Sequence, residues 1–258
     1  MAVICKSEAE LEKMHRAGLV VWNVLNELKQ MVRPGLTTMD FENYAERRVK
    51  EQGARPAFKG YRGYPCVLCT SVNGEVVHGI PSPKRRIEQG DILSLDFGAE
   101  LEGYYGDAAV TVPVGTISPE LERLLRVTRE SLDKAIEQAR PGNRLTDISH
   151  AVQSWVESHG YSVVRELVGH GIGTRMHEDL QLPNYGEPGR GPRLREGMTL
   201  AIEPMVNAGG PAIRILDDEW TAVTADGSYS AHFEHTVAIT ADGPWILTRP
   251  REIQGPSW

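Results

Sequence analysis

The sequence predicts an α+β fold of two pseudo-symmetric halves, an antiparallel sheet covered by helices, and three observations carry that reading. The first is an internal repeat. Arg33-Pro34-Gly35 recurs 107 residues later as Arg140-Pro141-Gly142, and the same shift carries Asp40 onto Asp147 and Gly53 onto Gly160. The second is that the register holds further on: the segment from Arg86 through Gly90 to Asp96 lies over Arg193, Gly197 and Glu203, with an acidic residue closing both copies. The third is the grouping of element types. Helical segments in each half precede strand-like runs rich in Val, Ile, Leu and Thr, which argues against a wound parallel sheet. A single duplication over 258 residues gives two halves, about 1–115 and 116–258, and not a solenoid. No low-complexity linker separates them, so 1–258 reads as a single domain.

Individual elements follow from capping and periodicity. A helix over about Asp40–Gln52 is closed by Gly53, and its counterpart over Asp147–His159 is closed by Gly160. In the second half Ser118 supplies an N-cap and Pro119 takes the first helical position. Leu121, Leu124, Leu125, Leu132 and Ile136 then form one stripe, before Arg140-Pro141-Gly142 stops the helix. Ile92–Phe97 and Asp107–Val112, separated by a loop holding Gly98, Gly103 and Gly106, read as an antiparallel pair. Thr199–Ile202, running into Glu203, and the run Ala231–Ile239 read as further strands. His15, His150 and His159 fall on helices among polar residues and are expected at the surface. Cys66 and Cys69 have a C-x-x-C spacing, but strand positions i and i+3 point to opposite faces, so no redox pair is expected.

Composition excludes several classes of function. Lys and Arg number 28 against 35 Asp and Glu, a net charge of −7 that supplies no basic face for phosphate. The short run Lys84-Arg85-Arg86, after Pro81 and Pro83, reads as a solvated turn. The longest near-apolar stretch, Gly18 to Leu25, falls well short of the ~20 residues that cross a bilayer, and the N-terminus lacks a signal-peptide pattern. Three cysteines are an odd number for a disulfide framework and fit a reducing compartment. A cytoplasmic protein, binding neither nucleic acid nor membrane, is the expectation.

The chemistry is carried by acids on strands that look buried. Asp96 follows Ile92-Leu-Ser-Leu, Glu203 follows Thr199-Leu-Ala-Ile, Asp107 opens the strand across from Asp96, and Glu234 lies within Ala231–Ile239. Any one of these acids alone reads as an ordinary salt-bridge partner. As a set, two of them at equivalent places of a duplication and without matching Lys or Arg in those strands, they call for other cations. Two divalent ions would offset four negative charges. His170, in Gly169-His170-Gly171-Ile172-Gly173, offers a nitrogen ligand, and an oxygen-rich site with one imidazole suits Mn, Fe or Co better than a thiolate-type zinc site.

Together with Val77-His78-Gly79-Ile80-Pro81 and Ala201-Ile202-Glu203-Pro204-Met205, these motifs cover nearly the whole chain, which resembles the bacterial type I methionine aminopeptidases. The resemblance implies the pita-bread fold and a dinuclear centre held by Asp96, Asp107, His170, Glu203 and Glu234, with Asp107 and Glu234 bridging. It implies removal of an initiator methionine from nascent polypeptides when the second residue is small, with Glu203 also carrying a proton to the leaving amine. His78 and His177 match two histidines that contact the scissile bond. Phe58, Tyr61, Tyr64, Cys69, Met176 and Trp220 match positions lining the methionine pocket; Phe58 and Met176 fill places where family members vary, and Leu180 stands where proline is common. The expected partners are nascent N-termini, with the ribosome among them, and a monomer is expected. The alternatives are an enzyme of the prolidase or aminopeptidase P type, which would need an additional N-terminal domain, and a metal-free binding protein on the same fold, which would lack a ligand.

Overall fold

The computed structural model describes residues 4–253, 255, 256 and 258. Helices α1 (Glu8–Met31) and α2 (Thr38–Glu51) come first, followed by strands β1 (Arg55–Pro56), β2 (Leu68–Val72) and β3 (Glu75–Val77) and the long hairpin β4 (Ile92–Leu101) and β5 (Tyr104–Pro113). Next are α3 (Pro119–Gln138), α4 (Leu145–Ser158), β6 (Ser162–Val163), β7 (Gly169–Gly171), β8 (Glu178–Leu182), β9 (Thr199–Ile202) and β10 (Met205–Asn207). The last are β11 (Ile213–Ile215), β12 (Ala222–Thr224), β13 (Ser230–His232), β14 (Glu234–Thr240) and β15 (Gly243–Ile246).

The main sheet has nine strands in the order β1-β4-β5-β14-β9-β7-β8, with β2 also on β4 and β15 also on β14. Its pairings are antiparallel. The shift of 107 residues recurs in three dimensions. Arg55 faces Glu100 where Ser162 faces Asn207, and the bridge Thr37 to Arg86 has its counterpart in Arg144 to Arg193. Main-chain carbonyls of Gly35 and Gly142 accept from Arg86 and Arg193, the same bond in both copies.

The helices start where capping chemistry places them. Ser118 Oγ accepts from the Leu121 amide at the head of α3, and Ser7 with Glu10 forms a capping box on α1. The second helix of each half begins earlier than expected, at Thr38 and Leu145. Asp40 and Asp147 are not the start but the third helical residue, each accepting from the amide three residues back. The apolar face of α1, with Val20, Val21, Val24, Leu25 and Leu28, lies on the core with Leu93, Leu95, Phe97, Val110 and Val112 of the hairpin. Burying side chains of this size is worth roughly 1.5–3 kcal/mol each.

Three expected elements are corrected. The β4–β5 pair runs further toward its turn, by four residues on β4 and three on β5, because Gly98 and Gly106 lie within strands and the turn is only Glu102 and Gly103, both at positive φ (53° and 83°). The two strand glycines answer close approach: a Cβ on Gly98 would meet the Phe58 ring at 2.7 Å, and one on Gly106 would meet the Gly18 nitrogen of α1 at 2.8 Å. The run Ala231–Ile239 is two strands that join different sheets, interrupted at Phe233. His15 is buried, not exposed, with Nδ1 2.8 Å from the Leu247 carbonyl and its ring against Trp245, because α1 lays that face on the β14–β15 hairpin.

The α1 crossing yields a prediction. Gly18→Ala gains helix propensity of at most ~1 kcal/mol, but its methyl would lie 2.2 Å from the Leu247 carbonyl oxygen, a main-chain atom. Overpacking of this kind costs about 1–3 kcal/mol, so net destabilisation is expected in chemical denaturation; equal or greater stability would contradict the packing described.

Candidate metal centre

Five neighbouring strands of the main sheet, β4, β5, β14, β9 and β7, each bring one side chain to a single place. The register explains how. Ala109 on β5 is opposite Asp96 on β4 and opposite Glu234 on β14, and Asp107 lies two residues from Ala109. Residues directly opposite in an antiparallel sheet share a face, and so do residues two apart. Asp96, Asp107 and Glu234 therefore stand on one face, with the small Ala109 leaving room among them. On the far side His170 is opposite Ala201, two residues before Glu203, which puts both on that same face. Phe97 and Ala108, on the reverse side, enter the hydrophobic core.

Asp107 lies within β5 and does not open it, and Glu203 lies just beyond the end of β9. The reason for the second is Pro204, which has no N–H for the ladder and pushes its predecessor out of regular pairing. Side chains hold the backbones in place. Thr236 Oγ1 accepts from the Asp107 amide at 3.0 Å and donates to its carbonyl at 2.9 Å, Asn184 donates to the Glu203 carbonyl, and the Trp258 indole donates to the Glu234 carbonyl at 3.1 Å.

His170 Nδ1 is 3.0 Å from the Gly171 carbonyl, which only accepts, so Nδ1 carries the proton and Nε2 is left with a lone pair. Nε2 is 3.7 Å from Glu203 Oε1 and 3.9 Å from Asp107 Oδ2. Asp107, His170 and Glu234 each present a donor atom within 4.8 Å of the others, spacing suited to one metal ion. Asp96 Oδ1, Asp107 Oδ1 and Glu234 Oε1 are buried with no hydrogen-bond partner. Unpaired buried carboxylate oxygens around one imidazole are the donor set of a divalent cation, so these residues fit the group the sequence calls for.

Without metal, burial pushes Asp107 up to about 7. It raises Asp96, Glu203 and Glu234 well above the carboxylate range, with the negative charge of Asp107 as the next cause in each. Burial lowers His170 to about 4, which keeps its imidazole neutral and able to bind metal. Buried His232, with Nε2 3.9 Å from Glu234 Oε2, is lowered to about 3 by burial and then by His78.

The other site residues expected from the sequence, His78, His177, Phe58, Tyr61, Tyr64, Cys69, Met176 and Trp220, line the same cavity, of about 550 Å³. His177 stands at its exposed mouth, stacked on Tyr61 (5.2 Å between centroids, 11° between planes) and 4.0 Å from the His170 ring. Desolvation against these walls, and then His170, lowers its pKa. His78, at φ 60°, has its pKa lowered by burial and meets Trp220 edge-on. Phe58, Tyr64, Cys69, Met176 and Trp220 complete an apolar wall in which Tyr64 Oη lies 3.1 Å from both the Leu68 and Gly79 carbonyls. Cys66 precedes β2 and does not share a strand with Cys69, so the two side chains are not held on opposite strand faces as expected. It packs with Cys69 and Tyr64, and both thiols are free. Sequence reading missed Arg62, Glu166, Arg175 and Met205, which also line the cavity. Only Arg62, between Gly60 and Gly63 and itself at φ 49°, had a local signal of a special loop.

Residues 12–241 match metallopeptidase family M24, and the chain belongs to that family. Two relatives, each 54% identical, are the methionine aminopeptidase of Clostridium acetobutylicum, covering 95% of this chain and 98% of its own, and methionine aminopeptidase 1 of Bacillus subtilis, covering 96% and 99%. The crystal structure of methionine aminopeptidase from Thermotoga maritima superposes with a TM-score of 0.95 at 50% identity, over 96% of this chain and 100% of that one. A prolidase from Pyrococcus furiosus shares the fold, with a TM-score of 0.78 at 24% identity, and this chain covers 66% of it.

The buried acids make a prediction about pH. A carboxyl whose folded pKa lies above its unfolded value contributes stability at low pH that is lost as pH rises through the folded pKa. The lowered histidines act in the opposite sense, mainly below about 6.5. Comparing metal-free wild type with Asp107→Asn cancels the histidine contribution. The variant is expected to gain stability relative to wild type as pH rises from 5 to 8 in chemical denaturation with chelator present; a pH-independent difference would contradict a raised pKa at Asp107.

Proposed function

We propose that the chain is a metal-dependent aminopeptidase that removes N-terminal methionine when the next residue is small. The observation that supports this most is the row of three buried carboxylates, half-buried Glu203 and one neutral imidazole, with three carboxylate oxygens unpartnered, at the floor of a cavity with an apolar side pocket. Asp96, Asp107, His170, Glu203 and Glu234 would hold two divalent ions, Mn, Fe or Co. Bound there, the ions would supply Lewis acidity and a nucleophile activated at neutral pH.

The chain's own residues do the rest. Glu203, lying next to His170 and raised by burial and its acidic neighbours, takes up a proton at its carboxylate and delivers it to the departing amine. His78 and His177, neutral at physiological pH, donate to the scissile carbonyl and the departing nitrogen. Phe58, Tyr61, Tyr64, Cys69, Met176 and Trp220 receive the unbranched thioether. Burial raises the Cys69 thiol, so this wall carries no charge against the methionine sulfur. We read 1–258 as one catalytic domain acting as a monomer in the cytoplasm on nascent N-termini, at or near the ribosome. Among the described residues no helix is long and apolar enough to cross a membrane.

The test is hydrolysis of Met-Ala-Ser by purified protein, with and without added Mn, Fe or Co, against Met-Lys-Ser and Met-Leu-Ser. Metal-dependent release of methionine, much faster from the alanine peptide, is expected, together with folded but inactive Asp96→Asn and Glu203→Gln variants. Equal rates on the three peptides would overturn the small-residue preference, and wild-type turnover in either variant after metal stripping and readdition would overturn the ligand assignment.

A further inference from the structure

One wall of the cavity is the segment between β7 and β8, which carries Met176 and His177. Glu178 follows directly as the first residue of β8, and its Oε2 accepts from Lys6 Nζ at 2.5 Å across 172 residues of sequence. The two side chains are 2% (Lys6) and 7% (Glu178) exposed. Among the described residues no other lysine or arginine ion pair buries both partners to this degree; the pairs Arg48 with Glu27 and Arg16 with Glu102 leave both partners at least 30% exposed. Lys6 is buried although Ile4, Cys5 and Ser7 around it are exposed.

The surroundings are built around this pair. Lys6 is pinned through its own amide, which donates to the Gly197 carbonyl at 2.7 Å. Gly173 passes beneath the ion pair, where a Cβ would lie 2.3 Å from Glu178 Oε1 and 2.4 Å from Lys6 Cε. The Gly173 carbonyl accepts from the Tyr105 amide of β5 at 2.9 Å. The segment from Thr174 to His177 is thus fixed at one end to the metal-bearing hairpin and at the other, through Glu178, to Lys6. The His177 ring itself is placed by stacking on Tyr61 and by a tilted contact with His170, contacts that set its plane but need its backbone delivered to the right place.

We propose that Lys6 is a positioning residue of the active site: by neutralising buried Glu178 it fixes the backbone that carries His177, so that the stretch before α1 serves as a strut of the cavity wall. Glu178 Oε1 has no hydrogen-bond partner, so the lysine is the counter-charge on which the carboxylate depends. Remove it and an uncompensated charge stays buried unless the segment opens to hydrate it. His177, one residue away, moves with that opening, and displacement of a catalytic group by about 1 Å can cost of the order of 10²-fold in rate.

The kinetic part of this inference rests on the aminopeptidase reading, so the experiment adds a readout independent of substrate. Lys6→Met, Lys6→Arg and Glu178→Gln are compared with wild type at equal metal content, by kcat and KM on Met-Ala-Ser and by hydrogen exchange of the amides of residues 174–178. Lys6→Met is expected to lower kcat at least about 10-fold, with KM changed less than about 3-fold, and to speed exchange in 174–178 while β7 is unaffected. Lys6→Arg, which keeps charge and donors, is expected to restore most of both. Unchanged exchange in Lys6→Met overturns the proposal whatever the substrate, as does a kcat within twofold of wild type in an enzyme active on the peptide. An arginine variant as impaired as the methionine variant overturns it too. If Lys6→Met fails to fold, Glu178→Gln decides by the same two readouts, with an intermediate loss expected and wild-type values contradicting the role.

Discussion

Mutual repulsion among Asp96, Asp107, Glu203 and Glu234, set side by side in a row on the floor of a cavity, is the constraint that the rest of this molecule answers. At an effective dielectric constant of 20, two like charges 4 Å apart repel by about 4 kcal/mol, comparable to a substantial fraction of a domain's net stability. Lysine and arginine are absent from the row, so the choice lies between bound protons and bound cations. Protons are the metal-free answer, expressed in carboxyl groups raised by burial and, at Asp96, Glu203 and Glu234, by the charge of Asp107 as well. Divalent cations are the answer proposed for function, and bound there they would turn a destabilising cluster into a centre of Lewis acidity.

Holding such a row together requires a scaffold that cannot spread. Antiparallel pairing provides it, since each strand is hydrogen-bonded to the next carrier of a ligand and neither edge of the sheet is involved. Ala109 keeps the row narrow, and Gly98 and Gly106 let Phe58 and α1 approach closely on either side of it. The two breaks in regular strand, before Pro204 and at Phe233, occur beside Glu203 and Glu234. Side-chain donors of Asn184 and Trp258 hold the carbonyls of those two residues.

Much of this was legible in the linear sequence, for physical reasons that differ from residue to residue. The duplication was visible because the same turn chemistry, Arg-Pro-Gly, and the same buried register recur at one spacing. The acids stood out because a carboxylate inside an apolar strand demands an explanation. The length of the β4–β5 hairpin was not legible: glycines at 98 and 106 look like loop residues, and only the partner pressing on each shows why a side chain is excluded. His15 looked like a surface residue because its sequence neighbours are polar, whereas its burial is decided by the distant Leu247 and Trp245. Lys6 and Glu178 carried no signal at all, since an ion pair joining positions 172 residues apart has no local signature.

The most direct measurement of the central claim is the number of protons released when a divalent ion enters. Metal-free protein is titrated with Mn at pH 7 in a calorimeter, in buffers that differ in heat of ionisation. If the row holds protons before metal arrives, the observed enthalpy varies with the buffer and reports release of about one proton or more per chain. An enthalpy independent of buffer would contradict this, since the four carboxylates would then be already ionised without metal and the row would hold no proton to displace.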